Sequence, residues 1–427
     1  MGVSFLLYTF TPLKRLFVND CRFIVLRYNG TMPKYSTLSE ADLSGKRVLL
    51  RAGFDLPIED GVVTDISRVE ALVPTMQYIL DHGASLVILS HQGRPKGKAN
   101  PEFTQKPLIP VLGKLLGTNV HFASSCVGGE TYAIASAMQP GDILLLENLR
   151  FDPREEANDP DFAKQLASLG DVYVNDAFTN CHRAHASMVS LPALLPSFMG
   201  LQLEQEVTHL SKVVENPVRP LTLIISGAKM ETKVPVIEFF LGLGDDVLLG
   251  GAMANTFIAA TGKAVGTSLF ERDYGESART MMERTDGARI HVPTDVVVAP
   301  AMKEDAPASM VSVDDIPMNQ SIFDIGDATV QAYIQVIEQA KTIVWNGPIG
   351  VYEVEQFSHA SRTIADAIAK ATTRGAITII GGGDTIDLHT RYGLPLSAYT
   401  FVSTGGGAML EFVSGQRLPA LVALERL

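Results

Sequence analysis

The sequence predicts an α/β fold of two doubly wound, Rossmann-like parallel-sheet domains joined by a bridging helix and hinge. Three observations predict it. Short apolar, β-rich runs alternate with stretches of helical period, the pattern of parallel strands covered by helices. The alternation runs twice along the chain, once on each side of a polar-faced stretch at residues 200–217. A length of 427 residues, 46% of them hydrophobic, is enough for two separately packed cores.

In chain order, Arg47–Ala52 (RVLLRA) and residues 86–90 read as buried strands. Between them Val69, Leu72, Val73, Met76, Ile79 and Leu80 recur at helical spacing and form one face packed on a sheet. Ile143–Leu146 and residues 172–175 are further strands. Asp159 followed by Pro160 marks a helix start, with the Asp side chain as cap and Pro in the first turn. The stretch GLQLEQEVTHLSKVVENPVRP reads as a helix that ends at Asn216-Pro217 and bridges the domains. Leu221–Ile225, 247–249, 343–345, 377–380 and Phe401–Ser403 are the strands of the second half. The expected divisions are 32–199, 200–217 for the bridging helix, 218–407, and a tail at 408–427.

Composition excludes several classes. A formal net charge of −12 argues against a general nucleic-acid binder, whose affinity comes mainly from Lys and Arg. No apolar run is long enough to span a bilayer, and three separated cysteines (Cys21, Cys126, Cys181) exclude a disulfide scaffold and suit a reducing compartment. Residues 1–31 differ from the rest: apolar and aromatic, with Lys14, Arg15, Arg22 and Arg27 against a single Asp20. Two readings stay open, a non-native or mis-assigned extension ahead of a true start at Met32, or a leader or docked arm.

The halves carry different chemistry. In the first, Arg68 opens the long helix, His91 and Arg94 lie in SHQGRPKG after a strand, Arg150 lies at the end of LLLENLRF before Phe151, and Arg183 lies in NDAFTNCHRAHAS. Ligands of open α/β sheets bind beyond the carboxyl ends of strands, so these cations can converge on one anion. One surface arginine is more often solvated than functional, but several placed at strand ends in one domain shift that balance. The second half is glycine-rich. IIGGGDT (379–385) and STGGGA (403–408) each run from a strand through glycines into a helix, where backbone amides can meet a phosphate. Asp384 can orient a magnesium ion through its waters. Lys229 and Lys233 in SGAKMETK are spaced i, i+4 and are expected on one face at a helix start. P-loop, GxSxG and HExxH patterns and a complete dinucleotide fingerprint are missing.

SHQGRPKG, LLLENLRF, NDAFTNCHRAHAS, SGAKMETK, GGAMANTF, FDIGDAT, TIVWNGPIGVYE, TIIGGGDT and FVSTGGGAMLE occur in that order, and together the chain resembles the phosphoglycerate kinases from about Leu43 to Leu421. The resemblance implies reversible, magnesium-dependent phosphoryl transfer between 1,3-bisphosphoglycerate with ADP and 3-phosphoglycerate with ATP. It implies a first domain holding phosphoglycerate, a second holding the nucleotide, and a C-terminal tail returning to the first. By motif, Gly53, Asp55, Arg68, His91, Arg94, Arg150 and Arg183 are the expected substrate site. Lys233, Gly251, Asn346, Glu353, Gly382, Gly383, Asp384 and Thr385 are the expected nucleotide site, with Asp384 toward Mg2+. Arg68, Lys229, Lys233, Gly405 and Gly406 are expected to neutralise the phosphoryl group in flight. A cytoplasmic monomer without nucleic-acid or membrane partners is implied.

The departures fall in the substrate half. Arg51-Ala52-Gly53-Phe54-Asp55-Leu56-Pro57 stands where the family usually reads Arg-Val-Asp-Phe-Asn-Val-Pro. Gly53 thus lacks a carboxylate expected on the substrate hydroxyl, and Asp55 puts an acceptor where an amide is usual. Asp55 taking over the hydroxyl contact is one expected compensation. Thr179-Asn180-Cys181 replaces Gly-Thr-Ala, and Ser226 replaces Gly. Two alternatives follow: a divergent paralogue of low or no activity that binds nucleotide as a sensor or scaffold, and a kinase for another small carboxylate.

Overall fold

A computed structural model describes residues 35–243, 245–284 and 289–426; the segment 1–31 and Cys21 lie outside them. Two six-stranded sheets form the two halves, and every pairing within them is parallel. The first sheet runs Val120–Ala123, Ile143–Leu146, Ser85–Leu89, Arg47–Ala52, Val172–Asp176, Ser197–Met199. The second runs Arg289–His291, Asp246–Leu249, Leu221–Ile225, Thr342–Asn346, Ile377–Gly381, Phe401–Ser403. In each, the earliest strand lies in the middle and the order reverses beside it. The reversals fall between Arg47–Ala52 and Val172–Asp176, and between Leu221–Ile225 and Thr342–Asn346. A reversal leaves a crevice beyond the carboxyl ends of the two strands, and both halves use it below.

The central strands are apolar throughout because both faces are covered. Leu49, Val87, Leu144 and Tyr173 pack on one side of the first sheet, and Leu50, Ile88, Leu145 and Val174 on the other. The strands expected from apolar runs are found within about a residue at each end. Three parallel edge strands were not anticipated, Val120–Ala123, Ser197–Met199 and Arg289–His291, because each is only partly buried and lacks a continuous apolar run. An antiparallel sheet also departs from the expectation of parallel pairing: Asp295–Ala299 lies between Ser309–Ser312 and Ser321–Ile325. Its outer strands are largely exposed or half-buried, so they carry little hydrophobic signal.

Helix Ser67–Asp81 buries Val69, Leu72, Met76 and Ile79 on the face that the spacing predicts. Helix Pro160–Ala167 is capped by Asp159, whose Oδ1 accepts from the amides of Asp161 and Phe162 at 3.0 and 2.8 Å. The bridging helix is Leu201–Val214, shorter at its C-terminal end than the predicted 200–217. Its Leu203, Val207 and Leu210 join one hydrophobic cluster that reaches Leu49 and Tyr173 in the first sheet and Leu223 and Val247 in the second. After the last strand, helix Gly407–Val413 leads back toward the first half, where the Ala420 amide donates to Cys181 O at 3.1 Å and Glu425 pairs with Tyr35.

Two buried carboxyls hold the bridging helix at both sides. Asp176, at the end of its strand, accepts from the Leu203 amide at 2.7 Å. Glu206 accepts from the Thr404 amide and hydroxyl at 2.8 and 2.9 Å. Burial pushes each up to about 7. A carboxyl raised in the folded state contributes stability that is full below its unfolded pKa and lost as pH rises through the folded one. Glu206→Gln can still accept from Thr404 but never ionises. Its stability is expected to match that of the unsubstituted chain near pH 4 and to exceed it at pH 8, by at most about 3 kcal/mol. A variant less stable at pH 8 would show that the ionised carboxylate is the stabilising form.

Candidate active site

The first crevice is a concentration of cations. Arg51, next to last in its strand, is fully buried; its Nε donates to Ser187 Oγ at 3.0 Å and its Nη2 lies 3.3 Å from His91 Nδ1. Ser187 Oγ in turn donates to Glu155 Oε1 at 2.6 Å, and the Ser187 amide to Oε2 at 3.0 Å. Arg150 is buried, with Nη1 donating to Gly93 O at 2.8 Å. Its Nε and Nη2 have no hydrogen-bond partner among the described residues, although Glu156 lies 3.4 Å from Nε. Buried donors left open in this way call for an acceptor from outside the chain.

The electrostatics of the crevice point the same way. Burial, with Arg51, Arg150 and Arg183 nearby, pushes His91 well below its ordinary value. Burial and the same arginines bring His185 down to about 3; burial and Arg183 bring His182 down to about 4. Arg150 falls to about 10, first through burial and then through Arg183 and Arg51. Positive charge so dense is relieved by a bound anion. Arg68 stands at the rim, with Nη1 donating to Asp55 O at 2.7 Å and Phe54 O at 3.2 Å, while Nη2 and Nε make no hydrogen bond among the described residues. Arg183 Nε donates to His182 Nε2 at 3.3 Å. Arg94 is exposed and makes no described contact.

Asp55 and Gly53 behave differently. Asp55 Oδ1 accepts from the Gly93 amide at 2.8 Å, and Oδ2 lies 3.7 Å from His91 Nε2. Its carboxylate therefore braces the 91–93 loop. Gly53 is buried against Ala177 and Thr179.

The second crevice is built from backbone and one lysine. Lys233, in the first turns of helix Met230–Leu243, donates to Asn346 Oδ1, and Asn346 Nδ2 donates to Gly381 O at 2.8 Å. Burial pulls Lys233 down to about 8, and the opposing pull of Asp384 does not offset it. Gly382 has φ +101°, and a Cβ there would lie 2.8 Å from Asn346 Nδ2, so only glycine fits. Gly383 opens helix Gly383–Arg391, with Asp384 exposed in its first turn. The loop 347–350 closes one side: the Gly347 amide donates to Thr385 Oγ1 at 2.9 Å, the Gly251 amide to Ile349 O at 2.8 Å, and Ser226 Oγ to Pro348 O at 2.5 Å. Thr385 thus positions a loop, and Gly251 lets helix Gly251–Ala260 start against Ser226. Glu353 is exposed on the segment that follows.

Two expectations are corrected. Lys229 precedes the first helical residue and is exposed, so it and Lys233 do not share a helix face. The Gly405 amide already donates to Ser403 Oγ at 3.1 Å, which leaves Gly406 and Gly407 as the amides that open helix Gly407–Val413. Sequence reasoning missed Arg51, Ser187 and Glu155. Glu155 sits in a charged string, DPREE, that reads as solvated surface, and nothing in its spacing announces burial.

Among the described residues no group of three His, Cys, Asp or Glu could hold a metal alone. A lone exposed carboxylate, Asp384, at a helix start beside Lys233 suits a hard cation that arrives already bound to phosphates.

Residues 38–416 match the family model for phosphoglycerate kinase. The chain is 46% identical over 390 residues to the phosphoglycerate kinase of Moorella thermoacetica, covering 91% of this chain and 98% of that one. It is 45% identical over 394 residues to that of Chloroflexus aurantiacus, covering 91% and 98%. Among solved structures, phosphoglycerate kinase from Coxiella burnetii superposes with a TM-score of 0.83 at 38% identity, covering 92% of this chain and 99% of that one. That from Pyrococcus horikoshii gives 0.80 at 31%, covering 91% and 98%. With two parallel-sheet halves, a cationic crevice in one and a glycine-lined crevice in the other, the chain belongs to the phosphoglycerate kinase family.

Proposed function

We propose that Arg68 and Lys233, carried by different domains, neutralise the phosphoryl group in the family's reaction, reversible transfer between 1,3-bisphosphoglycerate with ADP and 3-phosphoglycerate with ATP. The observation that carries this reading is the division of labour between the crevices. The first domain offers buried, unpartnered guanidinium donors for a phosphate and a carboxylate. The second offers a helix start, close-approach glycines and a half-buried lysine for a nucleoside phosphate.

In this reading Arg150, Arg183, His91 and Arg94 hold phosphoglycerate, while Lys233, Asn346, Gly251, Gly382, Gly383, Thr385 and Glu353 surround the nucleotide. Mg2+ would enter on the nucleotide and meet Asp384; when bound it supplies charge neutralisation on the phosphates. The acceptor oxygen is a carboxylate, so no residue need remove a proton. The residues orient the two substrates in line, and the amides of Gly406 and Gly407, with Lys229 at the rim, add positive potential. The groups start on separate domains, so closure about the bridging helix brings them together and expels water. A cytoplasmic monomer fits this reading, and no described helix is long and apolar enough to cross a membrane.

The pH profile tests the role of Lys233. Its folded pKa lies near 8, so the free enzyme carries the ammonium below that pH and loses it above. The kcat/KM for ATP, which reports the free enzyme, is expected to fall above about pH 8. Lys233→Arg should move that limb beyond the measurable range. A profile that keeps its limb near pH 8 in the arginine variant would assign it to another group.

A further inference from the structure

We infer that Thr179, in the space left by the absent side chain of Gly53, reads the secondary hydroxyl of the three-carbon substrate. The inference rests on the functional reading above. Gly53 follows the strand Arg47–Ala52, and Thr179 follows the strand Val172–Asp176. These are the two strands between which the first sheet reverses its order, so the residues face each other across the crevice where a ligand is expected. A Cβ built on Gly53 would lie 3.1 Å from Thr179 Oγ1 and 3.2 Å from Ala177 Cα, so the Thr179 hydroxyl occupies the room that a side chain at 53 would need.

The hydroxyl is oriented. Thr179 Oγ1 donates to Asn180 Oδ1 at 3.2 Å, and Asn180 is buried. With its proton committed, the oxygen presents lone pairs and acts as an acceptor, the complement of a substrate hydroxyl. Thr179 is itself only half-buried. It lines, with Gly53, Arg68, Asp176, Gln202 and Thr404, a cavity of about 20 Å³, room for a group the size of one water. Of the other groups in the cavity, Asp176 Oδ1 accepts from the Leu203 amide while its buried Oδ2 makes no hydrogen bond among the described residues, and the Thr404 hydroxyl donates to Glu206; Thr179 is singled out by facing Gly53 directly. Asp55, the other candidate, spends one carboxylate oxygen on the Gly93 amide and sets the other beside His91. Arg68 in the same cavity can meet the charged part of the substrate while Thr179 meets the neutral hydroxyl.

The test compares ATP-dependent turnover of 3-phosphoglycerate with that of 3-phosphonooxypropanoate, the same molecule without the hydroxyl, in the full chain. Thr179→Val removes the acceptor and keeps the shape. It is expected to lower kcat/KM for 3-phosphoglycerate about 10- to 100-fold through KM, and to leave the hydroxyl-free analogue and the KM for ATP unchanged. Thr179→Ser should retain the preference for the hydroxyl. Gly53→Ala, which crowds the same oxygen from the other strand, should lose it, and serves if the valine variant does not fold. An unchanged ratio between the two substrates in Thr179→Val or Gly53→Ala, with 3-phosphoglycerate still turned over, overturns the inference alone. If the unsubstituted chain does not turn over 3-phosphoglycerate, the functional reading falls and the inference with it.

Discussion

Replacing Lys233 or Arg68 by alanine is expected to lower kcat for phosphoryl transfer by about 10³-fold each, with the fold intact. Such a loss corresponds to about 4 kcal/mol of transition-state stabilisation. Its size follows from position. Lys233 is half-buried and held by Asn346, so its ammonium is screened less than a fully exposed charge would be. Arg68 is anchored at one nitrogen by the carbonyls of Phe54 and Asp55, so its remaining donors are pre-aimed. Because neither residue belongs to a hydrophobic cluster, thermal midpoints should move by less than about 1 kcal/mol. Single-turnover measurements with ATP bound separate the two roles: binding should persist while the chemical step slows. A loss confined to KM, with kcat unchanged, would place both residues in ground-state binding only.

The largest stability effect is expected at Glu155. The residue is completely buried, and through Ser187 it meets Arg51, whose guanidinium is also completely buried. Burial pushes the Glu155 carboxyl up and the Arg51 guanidinium down, while each opposes the shift in the other. Glu155→Ala leaves the arginine without its counter-charge and frees both Ser187 donors, at a cost of about 3–5 kcal/mol. At about 2–4 °C per kcal/mol for a domain of this size, the thermal midpoint of the first domain should fall by roughly 6–20 °C. Glu155→Gln, which can keep one of the Ser187 bonds, should lose less. A midpoint unchanged in the alanine variant would mean that Arg51 is neutralised elsewhere.

What could be read from the sequence divides along physical lines. The central strands were legible because burial on both faces demands unbroken apolar runs such as RVLLRA and LTLII. The partly buried strands Val120–Ala123 and Ser197–Met199 carried no such signal, and neither did the exposed or half-buried partners of Asp295–Ala299. Cations at strand ends were legible as candidates because α/β topology sends those positions to a shared crevice. Hydrogen-bond commitments were not. No spacing reveals that the Gly405 amide is taken by Ser403, that Asp55 braces Gly93, or that Lys229 falls one residue short of its helix. The exchange at Gly53 and Thr179 could be seen in sequence only as two separate departures, 126 positions apart by number (179 − 53). Strand order makes them neighbours.

The measurement that bears most directly on the account is steady-state, ATP-dependent turnover of 3-phosphoglycerate, read through NADH loss with an added dehydrogenase and with Lys233→Ala as the blank. The account predicts turnover of about 1–100 per second, removed in the blank. Turnover no greater than the blank, from protein that is folded and binds ATP, would contradict it.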